Sequence, residues 1–526
     1  MKNLTFLCLL CFLLINQIEA QNTVVLGGKK ISANSGNFTG QLDIEDQFGA
    51  GVTDLGDLNG DGFEDIIVTA NLDDDSGTDQ GAIWVLFLDA NHDVQSHQKI
   101  SAGYGGFTGI TDGTFGSSIE AIGDLDNDGV VDIAVGENRG NDGGNHTGAI
   151  WILFLNTNGT VKAHQKISMG HGNFTGTFPS GGRLGSIAAI GDINGDNVVD
   201  LAVGTSFDHE DGHRAGSVWI LFLNTNGTVN GYQKINESNG NFGGDLDPED
   251  YFGISVASIG DLNNDGVTDI LVGARGDDDG GFNRGAVYIL YLNTNGTVAT
   301  TKKISSITNN FTNQVDDEDF FGTSADNIGD FDGDGVADIM VGAYLDDDGG
   351  TNRGAVYLIF LNADGSVKTF EKISSTQGGF NIPLQDGDLF SGFSVSLIND
   401  LNGDGAKDII VSAFQTNDGG WNKGAVWLLY LNGKISTSTE GQTESFQANN
   451  LTAYPNPNHG QFTLDGFQKT NFDIRIYNVS GQLVQDFRVD EPVEQLEIYI
   501  ETKGVYFLEY TDSDNLRIVK KIIVLE

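Results

Sequence analysis

The chain has 526 residues, 74 of them acidic against 27 Lys and Arg, giving a formal net charge of −47. A surface of that sign repels phosphate backbones and anionic lipid headgroups, so nucleic-acid binding and electrostatic membrane association are excluded and cations are the natural partners. Hydrophobic residues make up 39% of the sequence, enough to build cores, so this is not a disordered acidic chain.

Residues 1–20, MKNLTFLCLLCFLLINQIEA, have a Lys near the start, an apolar stretch from Leu4 to Ile15 and Ala20 at a cleavage position. They read as a secretory signal peptide, too short and wrongly flanked for a membrane span. Both cysteines, Cys8 and Cys11, lie inside it, and Leu9 and Leu10 stand where a lipid-attachment signal needs small residues. The mature chain then has no cysteine, and an exported protein without disulfides draws stability from another source, bound metal being one. No later segment is apolar enough to span a bilayer.

Residues 21–432 are dominated by six near-copies of one cluster: DLNGDGFED, DLDNDGVVD, DINGDNVVD, DLNNDGVTD, DFDGDGVAD and DLNGDGAKD. Their first residues, Asp57, Asp124, Asp192, Asp261, Asp330 and Asp400, are 67, 68, 69, 69 and 70 positions apart, which marks a repeat architecture. Each unit holds four runs rich in β-branched and aromatic residues, in the fourth copy ISVASIG, DILVGA, GAVYILYLN and TVATTKKIS, bounded by turns such as NTNG. None shows sustained helical periodicity. GAVYILYL is apolar on both faces, as a strand buried between neighbours would be. Four strands per unit in six units predict an all-β propeller of six four-stranded blades. The sixth unit stops at GAVWLLYLNGKISTSTE without a fourth strand, and Thr23–Ser32 looks like the missing piece. Pairing the two would shut the ring without an exposed edge.

Residues 433–449, GKISTSTEGQTESFQAN, read as a polar linker. Residues 450–526 differ in composition and carry strand signals in FDIRIYNV, GVYFLEYT and RIVKKIIVLE, predicting a small β-sandwich.

The acidic clusters deliver oxygen atoms at alternate positions of a short turn, as a hard cation with six to eight oxygen ligands requires. The expected ligands are the side chains at positions one, three, five and nine and the backbone carbonyl at position seven. They are Asp57, Asn59, Asp61, Phe63 and Asp65 in the first copy; Asp124, Asp126, Asp128, Val130 and Asp132 in the second. The third has Asp192, Asn194, Asp196, Val198 and Asp200; the fourth Asp261, Asn263, Asp265, Val267 and Asp269. The fifth has Asp330, Asp332, Asp334, Val336 and Asp338; the sixth Asp400, Asn402, Asp404, Ala406 and Asp408. Position three is Asn in four copies and Asp in two, leaving three or four carboxylates per loop. Gly62 stands where the loop turns sharply and positive φ is needed, and Asn197 replaces it in the third copy.

An EF-hand would need a Glu at position twelve and helices on both sides. That position is Val68 in the first copy and Val135 in the second, inside strand-like runs, so these are metal loops between strands. Asp, Asn and Gly also form turns without metal; six copies in register with oxygen at the same four positions favour Ca²⁺, about six ions. Magnesium, with its tighter octahedron and retained waters, fits less well. Binding would relieve repulsion among the carboxylates and stabilise the fold.

With Phe48–Gly49, Phe115–Gly116, Phe252–Gly253 and Phe321–Gly322 ahead of the loops and Val272–Ala274 and Val341–Ala343 after them, the unit resembles the FG-GAP repeat of integrin α-subunit propellers over about residues 24–432. The third copy departs with Leu184–Gly185 and the sixth with Ser391–Gly392. The resemblance implies Ca²⁺ on the propeller's underside, ligands on the opposite face, and usually seven blades where the repeat count gives six. Through YPNPNHGQF (Tyr454–Phe462), IYNVSGQLV (Ile476–Val484), KGVYFLEY (Lys503–Tyr510) and KKIIVLE, the C-terminal segment resembles the type A sorting domain of the Bacteroidota type IX secretion system. That implies export to the periplasm, passage across the outer membrane, removal of the tail, and release or surface attachment.

A second acidic loop recurs at Asp73–Asp75, Asp277–Asp279 and Asp346–Asp348, and a basic residue (Arg284, Arg353, Lys423) precedes the third strand. It is read as a turn whose acids pair with that base, against the alternative of a ring of binding loops. Arg275–Gly276–Asp277 spells an integrin-binding tripeptide but falls inside this loop, where other copies replace it. Trp84, Trp151, Trp219 and Trp427 share one third-strand position with Tyr288 and Tyr357, which marks blade core; Trp421 is off pattern. The histidines of Asp208–His213 (DHEDGH) suggest a transition-metal ligand set, yet the segment occupies the acidic-loop position and reads as solvated. No nucleophile elbow stands out, and acids are too numerous to single out a glycosidase pair. The sequence thus points to a secreted or cell-surface calcium-binding propeller, monomeric, acting in adhesion or ligand binding on an extracellular protein or glycan. The alternative is an extracellular enzyme acting on polysaccharide with structural calcium, whose catalytic site would break the repeat symmetry at one place.

Overall fold

The computed structural model describes residues 24–432 apart from 76, 110, 112, 212 and 380–383, and then 452–454, 461–465, 472–478, 483–489, 495–500, 502–512 and 517–524. The expected signal peptide (1–20) and linker (433–449) lie outside the described residues. The chain divides into two compact units, 1–437 and 438–526.

Every regular element among the described residues is a strand. In blade four, the strands Val256–Gly260, Asp269–Ala274, Ala286–Leu292 and Val298–Ser305 lie side by side in sequence order, each antiparallel to the next. Blades one, two, three and five repeat this between Phe48 and Ile100, Phe115 and Ile167, Leu184 and Ile235, and Phe321 and Ile373. Blade six is Val395–Ile398, Asp408–Ala413 and Ala425–Leu431, completed by Val25–Ser32 from the other end of the chain. That strand runs antiparallel to Ala425–Leu431, with Ile31 opposite Val426 and Ser32 opposite Ala425. Six blades and the expected closure are both observed; the seventh blade that the resemblance implied is absent among the described residues.

The burial of each strand follows from its composition. Third strands such as AVYILYL are buried throughout, whereas the fourth strand VATTKKIS keeps its middle residues at the surface. The apolar core lies between blades. Val218 and Ile220 of blade three pack with Tyr288 and Leu290 of blade four, and Val426 and Leu428 of blade six pack with Trp84 and Leu86 of blade one. Burying such side chains is worth about 1.5–3 kcal/mol each, so the ring is held by its inter-blade seams. The four regular Trp and the two Tyr sit in these seams, as core residues, while Trp421 is 60% exposed.

One glycine position shows how neighbouring blades are spaced. Gly285, just before the third strand of blade four, has φ +85, and a Cβ there would lie 2.0 Å from the carbonyl oxygen of Phe321. Its backbone bridges to Phe321 in parallel. The Phe-Gly pair of one blade is therefore the docking point for the glycine of the blade before it.

The second unit contains two antiparallel sheets. One comprises Thr452–Tyr454, Gln461–Asp465 and Gln495–Tyr499; the other has the order Leu483–Val489, Phe472–Asn478, Gly504–Asp512, Arg517–Val524. Phe462, Leu464 and Ile498 from the first share one apolar cluster with Ile474, Ile476, Leu508 and Tyr510 from the second.

Candidate metal centres

All six acidic loops join the first strand of a blade to the second, so they crown one rim of the ring. In blade four, Oδ1 of Asp261 accepts the N–H of Asp265 (2.9 Å) and Oδ2 that of Gly266 (2.8 Å). Oδ1 of Asn263 also accepts from Asp265 (2.8 Å), and Oδ1 of Asp265 accepts from Val267 (2.9 Å). Blade one repeats this network with Asp57, Asn59 and Asp61. The turn residues have the expected positive φ, +93 at Gly62 and +65 at Asn197. The position-seven residues Phe63, Val130, Val198, Val267, Val336 and Ala406 each donate their N–H to the position-five carboxylate at 2.9–3.0 Å.

The ninth-position aspartates are different. Asp65, Asp132, Asp200, Asp269, Asp338 and Asp408 are all buried, and each ties its loop to the far end of the third strand. Oδ2 of Asp269 accepts the N–H of Leu262, and Oδ1 that of Leu292, both at 3.1 Å. Burial pushes these carboxyls up, to about 6 for Asp132, Asp269 and Asp408 and about 7 for Asp65, Asp200 and Asp338. Each is thus a buried acid whose charge a cation would restore. In blade two, Asp124, Asp126 and Asp128 bring one oxygen each within 4.8 Å of one another; in blade five Asp330, Asp332 and Asp338 do the same. Oxygen-only donors, several carboxylates and a rigidly braced turn fit a hard divalent cation.

Two lysines at this rim escaped sequence reasoning. Lys162 reaches Asp126 (2.9 Å) and Asp128 in blade two, and Lys368 reaches Asp332 (2.7 Å) and Asp334 (2.6 Å) in blade five. These are the two loops with the extra carboxylate at position three. The equivalent residues elsewhere are Gln95, Asn230, Ala299 and Leu26, so the four ligand side chains together with this position carry a formal charge of −3 in every blade. The signal was present as a Val-Lys pair opening the fourth strand in only those two repeats.

On the opposite rim, the second acidic loops are structural turns, but their expected partner needs correction. Asp277 and Asp279 pair with Lys303 (2.5 and 2.7 Å), and Asp346 and Asp348 with Lys372 (2.6 and 2.9 Å), each lysine lying at the end of its blade's fourth strand. Lys30, Lys99, Lys166 and Lys234 repeat the arrangement. Every one also lies over the third-strand Trp or Tyr, from 5.1 Å for Lys99 above Trp84 to 5.6 Å for Lys30 above Trp427. Arg284 and Arg353 instead reach the next blade's entry loop, at Asp317 (2.7 Å) and Asp386 (2.9 Å), and Lys423 bonds the Leu42 carbonyl. The strand geometry explains this: the fourth strand returns its terminal lysine beside the loop, while the residue before the third strand faces the neighbouring blade. In Asp208–His213, Asp208 pairs with Lys234 (2.6 Å), and the rings of His209 and His213 pack edge-on at 5.1 Å.

The first strands of all six blades line a central channel of about 390 Å³. Glu120 there accepts the N–H of Ala189 (3.2 Å), and Asp326 that of Leu397 (3.1 Å), stitching the inner strand of blade two to that of blade three and that of blade five to that of blade six. Burial, reinforced by Asp326, pushes Glu120 up to about 8; burial also raises Asp326 and Asp54 to about 6.

Comparison with known proteins places this geometry. The FG-GAP repeat family matches residues 51–86, 115–153, 184–221, 252–290 and 321–359, five of the six blades. The sixth, with Ser391–Gly392 and a first strand of only four residues, lies outside those matches. The secretion system C-terminal sorting domain family matches 452–525. Integrin alpha-2 of Bos taurus is 31% identical over 203 residues, covering 38% of this chain and 16% of that protein. Integrin alpha-11 of Homo sapiens is 31% identical over 201 residues (38% and 15%), and integrin alpha pat-2 of Caenorhabditis elegans 31% over 238 (43% and 17%). The chain thus spans about a sixth of the length of these relatives. Among the described residues no helix is long and apolar enough to cross a membrane. The chain is thus a six-bladed propeller with FG-GAP repeats in five blades, similar in part to integrin alpha subunits, and it carries a type IX secretion sorting domain that directs it to the cell surface or the medium.

Proposed function

We propose that the propeller is a calcium-loaded binding or adhesion module, with one Ca²⁺ in each of the six Asp loops acting as a structural clamp and the opposite rim presented to an extracellular ligand. The observation that carries the calcium reading is the ninth-position aspartate: six times over, a buried carboxylate with raised proton affinity stands at the base of a turn that presents further acids. An ion bound by positions one, three, five and nine and the position-seven carbonyl neutralises that group and locks the first strand to the second and third. Export by the tail takes the chain to a compartment where the calcium reading is physiologically sensible, since extracellular calcium modules function with weak sites.

The test is a thermal melt of the purified chain in EDTA and in millimolar Ca²⁺, beside glycan and protein arrays and hydrolase and lyase assays. The module reading expects a higher melting temperature in Ca²⁺ and capture without turnover. Turnover abolished by replacing one off-repeat acid or His would establish the polysaccharide-enzyme alternative instead.

A further inference from the structure

The mouth of the channel on the rim away from the Asp loops breaks the sixfold pattern. The residue just after the second strand follows a Val and two mostly small residues (Val-Gly-Ala in blades four and five), yet it is Asn71, Asn138, Ser206, Arg275, Tyr344 and Phe414 in blades one to six. Five of these line one cavity of about 340 Å³, together with Arg183 at the entry to blade three. Phe414 does not line it but packs its ring, tilted by 31°, at 4.3 Å against Phe393 of the lining.

Two features of this cavity call for an anion. The first is charge. Arg139, Arg214, Arg284 and Arg353 of the propeller all reach carboxylates, but among the described residues no carboxylate pairs with Arg183 or Arg275. The Arg275 guanidinium instead lies over the rings of Tyr251 (5.0 Å) and Phe320 (6.0 Å), and that of Arg183 over Phe207 (4.7 Å). Burial chiefly disfavours the charge on Arg275; Tyr344 and Tyr251 oppose this, and the nearby Arg183 adds a smaller push in the same direction as burial. Two like charges without a counter-ion, in a chain of net charge −47, are destabilising unless something else supplies the negative charge. The second feature is unsatisfied polarity. Nε of Arg275, Oδ1 of Asn71 and the Oγ atoms of Ser117 and Ser118 are buried without a hydrogen-bond partner, and all four residues line the cavity. Buried polar groups are almost always bonded, so orphans grouped around one cavity mark a place built for a polar ligand.

We infer that this mouth binds a carboxylate-bearing sugar unit of an acidic glycan, with Arg183 and Arg275 gripping the carboxylate and the orphaned amide and hydroxyls taking sugar hydroxyls. Guanidinium groups held over aromatic rings offer their N–H donors to a planar carboxylate at reduced entropic cost. The cavity size suits a small unit, not the surface of a folded partner. The inference rests on the binding-module reading and names its ligand class.

The test is isothermal titration of the full chain in Ca²⁺ with glucuronate and galacturonate, free and as short oligomers, beside glucose and an aspartate-rich peptide. Uronates are expected to bind and glucose not; Arg275→Gln is expected to weaken uronate binding by at least about tenfold while leaving the ligand-free melting temperature unchanged or higher, since a purely structural arginine would lower it on removal. Should Arg275→Gln not fold, Arg183→Gln carries the same expectation. Equal binding of glucose, retention of uronate binding in both variants, preference for the peptide, or no uronate binding at all overturns the inference. A chain that ignores uronates but captures another ligand on the arrays sinks this proposal and leaves the module reading standing.

Discussion

If the Asp loops hold calcium, Lys162 and Lys368 divide the six loops into two classes. In blade five the Lys368 ammonium lies 2.7 Å from Asp332 and 2.6 Å from Asp334, two of the expected ligands. Both pairs must be given up or stretched when a cation enters. Pairs of this partly exposed kind are worth about 0.2–1 kcal/mol each, so displacement costs roughly 0.5–2 kcal/mol. A residual lysine charge about 5 Å from a divalent ion adds about 1–2 kcal/mol of repulsion in a high-dielectric setting. Together that is roughly 1.5–4 kcal/mol, or about ten- to several-hundred-fold in affinity. Calcium titration of metal-stripped protein, by calorimetry or terbium luminescence, is expected to show four tighter and two weaker sites. Lys162→Ala with Lys368→Ala should tighten the weaker pair by about that factor at the lower end. Adding Asp126→Asn and Asp332→Asn, which gives these loops the composition of the other four, should merge all six into one class. Unchanged or weakened binding after removal of the lysines would refute the reasoning.

Other outcomes follow from the same geometry. The buried ninth-position acids have folded-state values of about 6 to 7, raised by burial from the ordinary 3.8. Their contribution to metal-free stability is therefore fully present below about pH 4 and lost as pH rises through 6–7. Melts in EDTA should rise as pH is lowered from 8 to 5.5, and the gain from Ca²⁺ should shrink over that window; a metal-free melt that falls throughout would contradict this. Gly285→Ala places a Cβ 2.0 Å from the Phe321 oxygen at φ +85 and should destabilise the ring by several kcal/mol. Gly62→Ala, with no atom within 4 Å of the new Cβ, should cost only about 1–2 kcal/mol; equal costs measured by denaturant titration would contradict the inter-blade docking account. Deleting 450–526 should hold the protein in the periplasm, and normal surface display of the truncate would contradict the sorting role.

The propeller was legible because its signals repeat. Six loops at a nearly fixed period, an apolar third strand in each unit, and a unit lacking the one strand that Thr23–Ser32 supplies leave few arrangements other than a closed ring. The loop conformation was legible too, because Gly62 and Asn197 are residues that tolerate the φ they adopt. Pairings across strands were not. Lys303 reaches Asp277 and Asp279 only because the fourth strand runs back beside the third, a relation that linear spacing conceals, so Arg284 was the nearer but mistaken partner. The ninth-position aspartate was expected as a ligand, but its bond to Leu292 depends on where the third strand ends. In the sequence Arg275 stands out only as the first residue of Arg275–Gly276–Asp277. Its meaning lies in the contrast with Asn71, Asn138, Ser206, Tyr344 and Phe414 at the same repeat position, and an inventory of what repeats passes over the one place that does not.

The most direct test of the central claim is the metal content of the purified chain after dialysis against calcium, read together with its melt before and after chelation. About six Ca²⁺ per chain and a melting temperature lowered by many degrees in EDTA are the predicted result. A chain that retains no calcium and melts identically with and without it would show that the six acidic turns are turns alone.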